Sequence, residues 1–306
     1  MSLKYKVLWV DDNKDEFSKE EKTLNSFIEE LFFEPKIDFC EDIASAKKFI
    51  ETEKYDVIFS DYNIDEERGD AFISFIRNQS VNTEVLFYSG QNQLPEGRLD
   101  RVTFFFETGS HREERLLKKM KELILLTVAK LNDLTQLRGL VMAEVSELDD
   151  IMKNLVAEYC TKSSEAEIEL RNYIVEKIEE RAKATLDVSQ VNCEKKCFHE
   201  WKNKSVQEVV FEQNFDSYTT ARALNHIIEK KNLGISRFLS NYNEEIIINR
   251  NELAHCKAIQ KDDGIEVLAT KRGEKEFTPA MINDIRKNII KYHKLFEDIE
   301  QKIKSI

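Results

Sequence analysis

Three aspartates stand where short apolar runs end. Lys6-Val7-Leu8-Trp9-Val10 leads into Asp11-Asp12, and fifty residues on Val57-Ile58-Phe59-Ser60 leads into Asp61. Runs of this kind, followed by segments of helical period, read as buried strands of a parallel sheet. An open α/β sheet places its chemistry at the carboxyl ends of its strands, so Asp11, Asp12 and Asp61 are expected on one edge. Crowded carboxylates repel one another; a hard divalent cation such as Mg²⁺ relieves them through oxygen ligands and keeps positions open for a phosphate. A second set lies far along the chain, in Arg250-Asn251-Glu252-Leu253-Ala254-His255. On a helix Asn251 and His255 share a face and Arg250 lies on the adjoining edge. These groups suit phosphodiester chemistry: a histidine moves protons near neutrality, a guanidinium holds phosphate oxygens, and an asparagine orients either. Such a centre needs no metal, because the 2′-hydroxyl of RNA can be the nucleophile.

The elements that must position these groups follow from periodicity. Leu24, Phe27, Ile28 and Leu31 mark a helix over 17–32, Pro35 precedes a strand over Lys36–Cys40, and Ala44–Ile50 is the next helix. Val85-Leu86-Phe87-Tyr88-Ser89 and Val102-Thr103-Phe104-Phe105-Phe106 are further strands. From Arg112 a long helical stretch carries Leu117, Met120, Ile124, Leu131, Leu134 and Val141 on an approximate heptad seam, interrupted by Thr127 and Arg138. That seam either pairs with a second copy of the chain or packs on its own chain. Helices are predicted over Ile168–Ala184, Val206–Glu212, Tyr218–Lys230 and Glu244–Ala258, a hairpin over Ile265–Phe277, and a last helix opened by Thr278 as N-cap and Pro279. The fold class is thus α/β, a doubly wound five-stranded parallel sheet, followed by an all-α bundle with a small β-hairpin.

Bulk properties bound the function. The 306 residues suffice for two domains, and no proline occurs between Pro95 and Pro279, which favours long helices. The formal net charge is −12; residues 1–110 carry 13 Lys and Arg against 24 Asp and Glu, or −11, and the remainder 33 against 34, or −1. Nonspecific nucleic-acid binding by the first part is therefore disfavoured. No apolar run reaches the roughly 20 residues that span a bilayer, and no secretory segment opens the chain, so a cytoplasmic location without membrane contact is expected. Five scattered cysteines argue for reduced thiols; Cys193, Cys197 and His199 lack the second pair of ligands that makes a zinc pattern specific. His111, His199, His226 and His293 have no partner at meaningful spacing and read as structural or surface groups.

Two resemblances follow from these residues. Asp11-Asp12, Asp61 with Tyr62-Asn63-Ile64 and Gly69 behind it, and Val85–Ser89 with Gly90 resemble the receiver domain of two-component response regulators over residues 1–110. The likeness implies that Asp61 is the phosphoacceptor, that Asp11, Asp12 and Asp61 bind Mg²⁺, that Ser89 senses the phosphate, and that a histidine kinase or small phosphodonor is the partner. One position departs: where the family has a lysine after its last strand this chain has Glu107, and no lysine lies between Ser89 and Lys118. Slow or short-lived phosphorylation is expected on that ground. The segment Ile246–His255 resembles the signature helix of the HEPN superfamily, with residues 140–306 as the helical domain and 111–139 as a helical connector. That likeness implies a metal-independent endoribonuclease with Arg250, Asn251 and His255 as catalytic residues, an RNA substrate, a 2′,3′-cyclic phosphate product and a homodimer. The alternative is a nonenzymatic signalling protein whose helical domain binds a protein or RNA partner.

Overall fold

In the computed structural model the described residues are 3–13, 18–64, 69–79, 81–90, 101–185, 204–212, 215–261, 266–270 and 273–305. Cys193, Cys197 and His199 lie outside them. The chain divides into two compact units, Met1–Leu137 and Arg138–Ile306.

The first unit alternates strand and helix as β1 (Lys4–Val10), α1 (Ser18–Glu30), β2 (Glu34–Cys40), α2 (Ile43–Thr52), β3 (Val57–Asp61), α3 (Gly69–Asn78), β4 (Glu84–Ser89), β5 (Val102–Phe106) and α4 (Arg112–Leu131). The strands form a parallel sheet of order β2-β1-β3-β4-β5, the five-stranded parallel sheet expected from the sequence. Both faces are covered, which is why the strands read as continuous apolar runs and not as alternations. Leu8, Val10, Ile58, Val85 and Phe87 pack with Ile50 of α2 and with Phe72 and Ile76 of α3. Successive residues point to opposite faces, so Trp9 and Phe59 turn the other way and meet edge to face, centroids 6.2 Å apart. Pro35 falls inside β2 and not before it, tolerated because β2 is an edge strand whose missing N–H breaks no interior ladder.

The helix assigned from sequence to a connector, α4, packs on β3, β4 and α1 of the first unit. Its seam residues Met120 and Ile124 are buried within that unit. Thr127, which breaks the apolar pattern, is buried as well, because its hydroxyl hydrogen-bonds with Tyr5 Oη of β1. The stretch from Arg112 to Val141 is not one helix. Asn132 N–H bonds back to Val128 O at 3.1 Å, and Asp133 Oδ1 accepts from Thr135 N at 2.8 Å, so an Asn-Asp pair ends α4 and opens α5 (Leu134–Cys160).

The second unit continues from α5 into α6 (Ser164–Thr185), α7 (Val206–Val210), α8 (Ser217–Lys230) and α9 (Phe238–Tyr242). A π turn over Asn243–Ile247 joins α9 to α10 (Ile248–His255). A three-stranded antiparallel sheet, β6 (Lys257–Gln260), β7 (Glu266–Thr270) and β8 (Gly273–Glu276), precedes α11 (Pro279–Lys304). The predicted helix over Glu244–Ala258 therefore stops at His255, and β6 makes the expected hairpin a three-stranded sheet. Thr278 Oγ1 accepts from Met281 N at 3.3 Å with Pro279 at the first helical position, as the sequence predicted. His293 is buried on α11, 2.9 Å from the fully buried Glu144 carboxylate of α5, a structural place in the bundle. Among the described residues no helix is long and apolar enough to cross a membrane.

Candidate functional site

The parallel register brings the ends of β1, β3 and β4 to one edge of the sheet, with Val10 beside Ser60 and Asp61 beside Tyr88. Asp11 is buried and Asp12 exposed just beyond β1, Asp61 is half-buried as the last residue of β3, and Ser89 is buried as the last of β4. Asn63 links the last two. Its backbone N–H donates to Asp61 Oδ1 at 2.9 Å, and its side-chain Nδ2 donates to Ser89 Oγ at 2.8 Å. Asp11 is gripped from two sides: Asn13 N donates to Oδ1 at 2.8 Å, and the Tyr88 hydroxyl donates to Oδ2. Tyr88 Oη in turn accepts from Trp9 Nε1 at 2.7 Å.

The electrostatics follow from burial and charge. Burial pushes the Asp61 carboxyl above its usual range, and the Asp11 and Asp12 charges push the same way; the Asn63 N–H and the positive charge of Arg112 oppose them. Tyr88 is raised well above an ordinary phenol, first by burial and then by the Asp11 charge, so it stays a donor. The donor set is all oxygen and suits a hard cation. Yet the carboxylates are not drawn around one point: among the described residues no group of three His, Cys, Asp or Glu side chains is disposed to hold a metal ion. Asp11 accepts one bond on each oxygen, from Asn13 and from Tyr88, and a carboxylate has about four lone-pair sites in all.

Sequence reasoning missed Trp9, Tyr88 and Arg112. A tyrosine and a tryptophan inside buried strands announce that each polar tip needs a partner, but which partner depends on strand order. For Arg112 nothing in the local sequence gave a signal. Glu107, flagged for its sign, forms an ion pair with Arg115 Nε, while Arg115 Nη1 also donates to Ser110 O at 3.0 Å.

In the second unit, α10 distributes its residues unevenly. Arg250 is half-buried, and its Nη2 donates to Ser217 Oγ at 2.9 Å. Ser217, at the start of α8, in turn donates a hydrogen bond to Asp149 Oδ2 of α5. Burial raises the Asp149 carboxyl above its usual range, and the Ser217 bond and the Arg250 charge partly offset this. Asn251 and His255 are exposed, and among the described residues their side chains have no hydrogen-bond partner. No hydrogen bond joins Arg250, Asn251 and His255 to one another among those residues. The end of α10 is clamped from α5: Arg138 Nε donates to Leu253 O at 2.9 Å and Nη2 to Cys256 O at 2.6 Å. Leu253 O also accepts from Cys256 Sγ at 3.3 Å, so the carbonyls at this helix C-terminus are met by side chains. Arg138, read from sequence as an interruption of the seam, thus holds the segment that ends in His255.

Comparison with known proteins agrees with the first unit. Residues 7–98 match the family described as response regulator receiver domain. Among solved structures, the chain is similar to the response regulator TrrA of Thermotoga maritima in complex with Mg²⁺-BeF, at 18% identity over 39% of this chain and 97% of that one, TM-score 0.30. It is similar to the chemotaxis response regulator CheY4 of Vibrio cholerae, at 22% identity over 39% and 97%, TM-score 0.30. A third likeness is to the receiver domain of the Francisella response regulator 1452, at 23% identity over 40% and 98%, TM-score 0.30. No curated protein matches the chain. The acids at the carboxyl edge of a five-stranded parallel sheet and the family match together make residues 7–98 a response regulator receiver domain.

Proposed function

We propose that the chain is a two-component-type regulator in which Asp61 accepts a phosphoryl group and the helical second unit is the output, a metal-independent endoribonuclease of HEPN type. The observation that carries the first half is Asn63 spanning Asp61 and Ser89 by two hydrogen bonds. It sets the acceptor carboxylate and a hydroxyl side by side at the strand ends. A carboxylate oxygen of Asp61 attacks the phosphorus of an acyl phosphate or of a kinase phosphohistidine. The donor's P–O or P–N bond breaks, and its electron pair leaves with the donor's oxygen or ring nitrogen. In this reading the Ser89 hydroxyl, at the end of β4, hydrogen-bonds an oxygen of the transferred phosphoryl. Asp11, Asp12 and Asp61 would hold Mg²⁺, which when bound neutralises charge between the acids and the incoming anion. Phosphorylation by acetyl phosphate in Mg²⁺, followed by mass spectrometry, tests this: wild type gains one phosphoryl group and Asp61→Asn gains none. Modification that persists in Asp61→Asn would remove Asp61 as acceptor.

For the output, His255 and Asn251 offer exposed groups on one face of α10. His255 takes the proton of an RNA 2′-hydroxyl as its oxygen attacks the adjacent phosphorus. The P–O5′ bond breaks, and the leaving 5′-oxygen takes a proton from water, giving a 2′,3′-cyclic phosphate and a 5′-hydroxyl. The bond from Arg250 to Ser217 favours a second reading, a nonenzymatic binding module in which the arginine serves the fold. Incubating the full chain with assorted RNAs in EDTA separates the two. The ribonuclease reading expects cleavage that His255→Ala abolishes without change in melting, and Arg250→Ala is expected to lower stability as well as activity. Absence of cleavage from both the phosphorylated and the unphosphorylated chain supports the binding module. We further propose that the acidic receiver gates the second unit and does not itself touch RNA.

A further inference from the structure

We propose that Arg138 is a positioning residue that ties the His255 end of α10 to the first turn of α5, so that a shift of α5 set by the receiver moves His255. This rests on the reading of Asp61 as phosphoacceptor and of the second unit as the output, and it names how that output is regulated.

The chain passes from the first unit to the second once, between Leu137 and Arg138. Behind the Asn132-Asp133 break, α5 opens at Leu134 in the first unit and runs on to Cys160 in the second. A continuous helix carries a displacement of its first turn onward, because its backbone bonds resist local adjustment. Arg138 is the first residue of the second unit, and its guanidinium is committed to the end of α10. Nε donates to Leu253 O at 2.9 Å, and Nη2 donates to Cys256 O at 2.6 Å and to Cys256 Sγ at 2.9 Å. These acceptors stand on either side of His255, so one side chain on α5 brackets the histidine from 115 and 118 residues away.

His255 depends on that bracket. It closes α10, and Cys256 behind it already has extended backbone at φ −74° and ψ 156°. Among the described residues the His255 side chain has no hydrogen-bond partner, so its place is set by the backbone that carries it. The planar fork of arginine holds two carbonyls in fixed relation, and a shift of about 1 Å takes such bonds out of hydrogen-bond range. Helices in switching proteins move by about 1–2 Å. Cys256 gives the clamp a reporter: its thiol is 7% exposed and lies against Arg138, so release of the arginine opens it to solvent.

The test uses the full chain in Mg²⁺ with and without beryllofluoride, a mimic of a phosphoryl group on a carboxylate, whose binding is followed by calorimetry. Mass mapping gives the rate at which N-ethylmaleimide modifies Cys256 in wild type, Arg138→Gln, Arg138→Lys and a chain with two glycines inserted between Asn132 and Asp133. Beryllofluoride is expected to change the wild-type rate about 10-fold, the factor for one hydrogen bond made or lost. Arg138→Gln should react fast in both states, with Arg138→Lys, which keeps the charge and fewer donors, in between. The glycine insertion leaves the clamp and loosens α5 from α4, so it should react slowly in both states. An arginine with a structural role alone would raise the rate in Arg138→Gln and leave the beryllofluoride factor as in wild type; that result overturns the proposal. So does a wild-type rate that bound beryllofluoride leaves unchanged, and so does a dependence that survives the insertion. Absence of beryllofluoride binding overturns the phosphoacceptor reading, and this proposal with it. RNA cleavage on the same samples should show kcat about 10-fold lower in Arg138→Gln at unchanged KM, and wild-type kcat in that variant overturns the role toward His255. A chain that cleaves no RNA yet shows the Arg138-dependent change at Cys256 supports the coupling and removes only the ribonuclease reading.

Discussion

Replacing Tyr88 by Phe removes one oxygen from the least exposed part of the site. Tyr88 and Trp9 are fully buried and Asp11 is 2% exposed, so water does not readily replace what is lost. Two bonds go together: the donation from Tyr88 Oη to Asp11 Oδ2, and the donation from Trp9 Nε1 to Tyr88 Oη at 2.7 Å. A hydrogen bond to a charged group is worth about 1.5–3 kcal/mol, and a buried donor that loses its acceptor costs about 1–3 kcal/mol. Asp11 keeps the Asn13 N–H on its other oxygen, and Phe fills the same space, so the expected net cost is about 3 kcal/mol. For the first unit, Met1–Leu137, that lowers the melting temperature by about 10 °C. The chain has two tryptophans, Trp9 and Trp201, so a Trp201→Phe background makes fluorescence report the first unit alone, and denaturant unfolding then gives the change. Mg²⁺ should stabilise Tyr88→Phe more than wild type, because an Asp11 carboxylate without its phenol donor has more to gain from a cation. A loss below about 0.5 kcal/mol, or equal Mg²⁺ stabilisation of both proteins, would refute the view that Trp9 and Tyr88 hold Asp11 in place.

Three further perturbations have clear expected outcomes. Glu144→Ala, which removes the hydrogen-bond partner of the buried His293 in the second unit, should cost about 1–3 kcal/mol in denaturant unfolding; a double-mutant cycle with His293→Ala should show coupling, and additive losses would contradict it. Burial pushes the Cys40 and Cys160 thiols up to about 12, leaving about one in ten thousand as thiolate at pH 8. Mass mapping after a thiol reagent should therefore find them unmodified in native protein and modified after denaturation. Asp42 caps α2 through Ser45 N at 2.6 Å and Ser45 Oγ at 2.7 Å, which hold its carboxyl below the usual range. A depressed carboxylate contributes stability above its unfolded pKa of about 3.9 and loses it as pH falls through the folded value, so the gap between wild type and Asp42→Ala should be full at pH 7 and close in acid.

The sequence by itself determined the kinds of most elements and some of their ends. Apolar runs closed by Asp11 and Asp61 declared buried parallel strands, and Thr278-Pro279 declared a helix start, because strand burial and helix capping are written in adjacent residues. Periodicity did not locate the break at Asn132-Asp133, where side-chain bonds to the backbone compete with a helical pattern that is otherwise continuous. Nor did it reveal β6, whose four residues are defined by antiparallel pairing with β7. The chemistry of the edge was legible as far as which acids it holds. What lies against each acid was decided only by tertiary structure: Tyr88 reaches Asp11 from 77 residues away, Asn63 bridges Asp61 to Ser89 on the neighbouring strand, and Arg250 turns toward Ser217 and Asp149. Those partners are set by the strand order β2-β1-β3-β4-β5 and by which helix covers which face. Long-range pairings of this sort leave no periodic trace in the residues that make them.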